Sequence, residues 1–156
     1  MARRRSSGRG RGRNRIGLQF NGWEELAERI DELAGADGLK RAVETALTDS
    51  KAHVNQKLTE AMQPRKLPAK GKYSEGDTLR SLDEDSPVTW EGMTAAVKIG
   101  FKIRENLTSI FLMYGTPRMK PDRALYTAIY GTKTKKELKE IQADAVNRVL
   151  REALGG

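Results

Sequence analysis

The chain has 156 residues, 37% apolar and 6% aromatic, with a net charge of +8. That length suits one domain with a mainly aliphatic core, and no run approaches the roughly 18 apolar residues of a membrane span. There is no cysteine and only one histidine, His53, which excludes disulfides, thiolate catalysis and cysteine metal sites.

The charge is concentrated at one end. Residues 1–15 carry Arg3, Arg4, Arg5, Arg9, Arg11, Arg13 and Arg15 and no acid. Setting those seven aside from the 29 lysines and arginines leaves 22 basic residues against 21 acids, so the remainder is nearly neutral. With almost nothing apolar to bury and several glycines, residues 1–15 read as a disorder-prone arm. Its arginines suit phosphate groups of DNA or an acidic protein partner. No apolar stretch follows the arginines, so the segment does not read as a secretory signal. Residues 16–156 read as a single α+β domain.

Asn21 is placed to cap a first helix in which Trp23, Leu26, Ile30 and Leu33 form one apolar stripe, ended by Gly35. Asp37 is placed to cap a second, longer helix over 38–62. Leu39, Val43, Ala46, Leu47, Val54, Leu58 and Met62 lie on its buried face. A helix of that length spans about 37 Å, which predicts that it lies across a sheet. His53 sits at the edge of the stripe and reads as a boundary residue, not a catalytic base. Residues 63–72 form a basic loop with two prolines. Residues 73–85 read as a turn-rich segment anchored by Leu79 and Leu82, closing on a solvated acidic turn at Asp83, Glu84 and Asp85.

Val88, Thr89 and Trp90 have β character, as do residues 95–101, with Glu91 and Gly92 as the turn between them. Val97, Ile99 and Phe101 alternate with Lys98, Gly100 and Lys102, as in a strand with one buried face. A two-stranded hairpin is marginal alone, so either further strands, with 73–86 as their source, or the long helix packed against it is expected. Next comes a helical elbow over 106–125. Asn106 caps a helix whose Leu107, Ile110, Phe111 and Tyr114 share one apolar face. Gly115 ends it in a left-handed conformation, Thr116 and Pro117 force a turn, and Pro121 opens a new helix as its first residue. That helix buries Ala124, Leu125, Ala128 and Ile129 and stops at Gly131. Thr134 and Glu137 form a capping-box pattern for a final long helix, with Leu138, Ile141, Ala145, Val149 and Leu150 on its apolar face. The architecture expected is two N-terminal helices, a small antiparallel sheet, the elbow and a long C-terminal helix.

Taken in order, these features resemble the neck and tail-completion proteins of long-tailed bacteriophages. The likeness rests on Gly76-Asp77-Thr78-Leu79-Arg80-Ser81, which matches a Thr-Gly-x-Leu-Arg-x-Ser-like segment. It rests also on Met113-Tyr114-Gly115-Thr116, which matches a Glu-Phe-Gly-Thr-like motif, followed by Met119, Pro121 and Ala124-Leu125. Met113 stands where the family has an acid, and Pro121-Asp122-Arg123 reverses its Arg-Pro order.

The resemblance implies a structural virion protein with no reaction and no cofactor. It would form a ring at the head-tail neck as a tail terminator, stopper or completion protein. The ring implied is sixfold, with twelvefold as the alternative, and its partners are adjacent neck and tail-tube proteins, in the virion after assembly in the host cytoplasm. On that reading Tyr114, Arg118, Met119, Lys120 and Arg123 make subunit contacts, while Gly115, Thr116, Pro117 and Pro121 give the corner its shape. A nucleic-acid-binding protein acting through the arginine arm is the alternative function. An enzyme is disfavoured, because no nucleophile, tuned base or metal-spacing cluster accompanies the lone histidine.

Overall fold

One 24-residue helix, Gly38–Ala61, is the member on which the other elements pack. In this computed structural model the described residues are 15–19, 28, 32, 35, 37–62, 76–92, 94–102, 104 and 107–155. They form β1 (Arg15–Gln19), α1 (Gly38–Ala61), α2 (Asp77–Arg80), β2 (Thr89–Glu91), β3 (Thr94–Lys98), α3 (Thr108–Tyr114), α4 (Arg123–Tyr130) and α5 (Thr132–Gly155). The fold is mostly helical with a small antiparallel sheet. The arm from Arg3 to Arg13 and the basic loop at 63–72 lie outside the described residues. So does most of the first predicted helix, of which Glu28 and Glu32 are described as helical and exposed.

Both faces of α1 are used. Val43, Leu47, Val54 and Leu58 are fully buried in the main core with Ala95, Val97, Leu112, Leu125 and Ile129. Around the side, Ala42 packs with Val146 and Val149 of α5 in a smaller cluster. The expected stripe is therefore present, and the helix does lie against the sheet, although its most extensive packing is with α5. Asp37 does not cap α1 as expected. It is itself helical in conformation with no side-chain cap bond, and its carbonyl accepts from the Arg41 N–H at 3.0 Å.

The hairpin forms as its alternation predicts. β2 and β3 pair antiparallel, Glu91 against Thr94, around Gly92 at φ +61°. Ala95, Val97, Ile99 and Phe101 are buried and Lys98 is exposed. The strand stops at Lys98, short of the predicted 101, because Gly100 turns the chain at φ +101°. Past that kink, the backbone pairs once with the segment after α2. Asp83 N–H donates to Gly100 O at 2.8 Å, and Lys102 N–H donates to Ser81 O at 2.7 Å. The third strand comes from elsewhere than expected. It is β1, running antiparallel beside β3 with Ile16 opposite Val97, in the order β1-β3-β2. Arg15, assigned to the arm, is the first residue of this strand and sits opposite Lys98.

Two polar clusters hold these layers together. In the first, the expected solvated acidic turn is only half correct: Glu84 and Asp85 are exposed, whereas Asp83 is buried. The Lys51 ammonium, also buried, donates to Asp83 Oδ1 at 3.3 Å and to Ser86 O at 3.0 Å. The Ser86 hydroxyl and N–H donate to the same carboxylate at 2.6 and 3.0 Å. Burial pushes the Asp83 carboxyl up, but the two Ser86 bonds and Lys51 outweigh it and hold the group below its ordinary value. Leu82 anchors this segment as predicted, while Leu79 does not and is 44% exposed.

In the second cluster, His53 Nε2 lies 3.0 Å from Glu137 Oε2, a contact that places the ring proton on Nε2, and Lys57 pairs with the same carboxylate. Hydrogen bonds from Lys57 and then His53 bring Glu137 down to about 2 from its ordinary 4.5. His53 is partly buried at the helix boundary, as expected. Thr134 is not the predicted cap. It lies inside α5, buried, where its hydroxyl donates to Thr127 O at 3.1 Å and accepts from Lys57 at 3.3 Å.

Lys51→Met leaves Asp83 buried without its cation and is expected to cost about 3 kcal/mol in urea denaturation. Arg148→Ala, which removes the outer pair with Asp49 at 3.5 Å, should cost less than about 1 kcal/mol. Equal losses would mean that Ser86 alone holds Asp83.

The depressed Glu137 stabilises the fold fully above pH 4.5 and loses that contribution as pH falls towards about 2. Wild type should therefore exceed Glu137→Gln in stability at neutral pH, and the gap should close between those limits. A gap that is constant with pH would assign the difference to shape, not charge.

Candidate interaction surface

The elbow is built from α3, a tight turn and α4, and its face is the reverse of the one its periodicity suggests. Asn106 lies outside the described residues, and Leu107 occupies the position before α3 without a side-chain cap. Ser109, Leu112 and Met113 point into the core. Leu107, Phe111 and Tyr114, spaced four and three apart, form an outward stripe with exposures of 62%, 47% and 40%, and Ile110 is half-buried beside it. A run of five apolar residues, Ile110 to Tyr114, offers a core two alternative faces. The Leu112–Met113 face won because it joins the main core, with α4 as its principal neighbour.

The turn after α3 is closed by reciprocal backbone bonds: Thr116 N–H to Met119 O at 2.7 Å and Met119 N–H to Thr116 O at 3.1 Å. Pro117 and Arg118 stand at its tip, both exposed, with the Arg118 N–H donating to Thr116 Oγ1 at 3.3 Å. Gly115 has φ +74° and ψ −178°, and its N–H donates to Phe111 O at 2.8 Å. A Cβ there would lie 2.6 Å from Met119 O and 2.8 Å from Pro121 N, so both conformation and space require glycine. Thr116, Pro117 and Gly115 thus form the corner as expected, but Gly115 is not in the expected left-handed helical conformation, because its ψ is extended. Pro121 does not open the next helix. Asp122 caps α4, its carboxylate accepting from the Ala124 and Leu125 N–H groups at 2.9 and 3.0 Å. The Asp122 N–H in turn donates to Leu112 O at 2.7 Å, tying the second helix back to the first.

The stripe continues onto α4. The Tyr114 and Tyr130 hydroxyls are 2.9 Å apart, and the Tyr126 and Tyr130 rings stack tilted with centroids at 4.9 Å. Tyr126 and Met119 are exposed. On the buried side, Leu125, Ala128 and Ile129 face the core as predicted, while Ala124 is exposed. One residue, Gly131, separates α4 from α5. Its backbone is extended, at φ −62°, and a Cβ would lie 2.4 Å from Thr127 O, so close approach and not handedness demands glycine.

Arg118, Lys120 and Arg123 are exposed and form no ion pair among the described residues. The structure thus gathers the five residues expected to make contacts, Tyr114, Arg118, Met119, Lys120 and Arg123, onto one corner, all of them exposed. Leu107, Phe111 and Tyr126 belong to the same surface and were not singled out for contact. For Phe111 the signal was the uninterrupted apolar run, which a short helix cannot bury on every side; Leu107 and Tyr126 lie outside that run. Among the described residues, no three His, Asp or Glu side chains converge as a metal-binding group, and no helix is long and apolar enough to cross a membrane.

Comparison with protein-family models, with curated proteins and with solved structures finds no match to this chain.

Gly115→Ala is expected to destabilise the fold by about 3 kcal/mol through backbone strain and overlap. Gly92→Ala, at a positive φ with open space around it, should cost only about 1 kcal/mol. Equal costs in thermal denaturation would show that the elbow yields and is not a fixed corner.

Proposed function

We propose that this chain is a structural subunit of the head-tail neck of a long-tailed bacteriophage. It forms a ring that joins or completes the tail, as a tail terminator or an adjacent neck component. One observation carries the reading: the outward apolar stripe of Leu107, Phe111 and Tyr114 on a corner held rigid from behind. Large apolar side chains left outside in a row mark an interaction surface, and aromatic residues, methionine and arginine are the types enriched where proteins meet. The residues that carry the family resemblance, Met113-Tyr114-Gly115-Thr116 and Met119, lie in this corner. A ring is a closed set of head-to-tail contacts, and the outer edges of β1 and β2, unpaired among the described residues, offer further pairing sites.

Purified protein is expected to form closed oligomers in analytical ultracentrifugation and ring-shaped particles in negative-stain images. Phe111→Asp should abolish them while changing folding stability by less than about 0.5 kcal/mol, as for a surface residue. Protein that stays monomeric at high concentration and binds neither heads nor tails would sink the proposal.

A further inference from the structure

We infer that the elbow of one copy seats on the segment 76–92 of another copy, pairing a basic apolar corner with an acidic apolar ledge. This rests on the assembly reading above and names the surface that completes it. The two segments are opposites in charge. Residues 76–92 carry five acids and one cation; Asp77 pairs with Arg80, Asp83 with the buried Lys51 and Asp85 with Lys102 at 2.9 Å, which leaves Glu84 and Glu91 without an ion pair among the described residues. The elbow carries three cations without an ion pair among the described residues, Arg118, Lys120 and Arg123, and its carboxylate, Asp122, is committed to capping α4.

Each segment also exposes what the other needs. Leu79, which the sequence marks as an anchor, points outward from α2 at 44% exposure, and it lies five residues from Glu84, an exposed carboxylate with no partner among the described residues. Apolar contact flanked by opposite charges gives such a pairing both attraction and a fixed register. The ledge is also firmly mounted. The buried Lys51–Asp83–Ser86 cluster and the backbone bonds to Gly100 and Lys102 hold residues 81–86 in place, so docking there orders little that was free. A second copy is favoured over nucleic acid because the centre of the elbow stripe is aliphatic and aromatic, with its cations at the turn beside it.

The experiment uses two full-length variants that keep their cores. One reverses the elbow (Arg118→Glu with Arg123→Glu) and the other reverses the ledge (Glu84→Arg), leaving the Lys102–Asp85 pair intact. Sedimentation equilibrium should show each alone weakened in self-association by about tenfold or more. An equimolar mixture should recover wild-type association to within about threefold, because every reversed elbow then meets a reversed ledge. If the ledge reversal does not fold, as judged by circular dichroism, Glu84→Gln reads the same contact through a smaller loss. Variants that assemble like wild type, or a mixture no better than its parts, would overturn the pairing and leave the assembly reading standing. A monomeric wild type would remove both. Wild-type assembly that disappears on nuclease treatment would overturn the pairing and make nucleic acid the occupant of the elbow.

Discussion

A helix packed on two sides must pair most of its polar side chains, and α1 does so with three partners: β2, the segment after α2 and α5. Asn55 is the exception, its buried Oδ1 having no partner among the described residues. Glu44 accepts from the Trp90 indole of β2 at 3.0 Å, Asp49 pairs with Arg148, and the Ser50 hydroxyl accepts from Gln142 at 3.4 Å. Lys51 reaches Asp83, while His53 and Lys57 converge on Glu137. The apolar residues of α1 supply the drive to collapse, but they would tolerate some sliding. The pairs, each demanding its own partner at its own height, set where the sheet, the acidic ledge and α5 stop along the helix.

Much of this was legible in the amino-acid pattern, and the failures share a cause. The long helices and the alternation of Val97, Ile99 and Phe101 are periodic signals over enough residues to be unambiguous. β1 is five residues of Arg-Ile-Gly-Leu-Gln beside an arginine arm, and only its pairing with β3 distinguishes it from the arm's end. For α3, a run of apolar residues gave the helix but not its orientation, which the neighbours chose. Asp83, Glu84 and Asp85 are chemically equivalent in sequence. Lys51, 32 residues away, selects one of them. Position along the chain cannot encode a choice made by contact across the fold.

The elbow shows the same division of labour at smaller scale. Gly115, Asp122 and the Thr116–Met119 bonds account for its shape with atoms that face inward or along the backbone. Leu107, Phe111 and the three cations contribute little to that shape, while Tyr114 ties α3 to α4 only through its hydroxyl. A surface so constructed presents large side chains without requiring them for folding, which is unusual for residues of their size.

The single-residue joint at Gly131 bears on how such a protein changes over evolutionary time. With α4 and α5 separated by one extended residue pressed against the Thr127 carbonyl, the corner has no loop that can lengthen and absorb an insertion. The angle between α4 and α5 therefore tolerates little change, whereas the exposed Arg118 side chain at the tip of the other turn carries no such constraint. Lineages built on this plan would conserve geometry and exchange chemistry, retaining the seat while altering what sits in it.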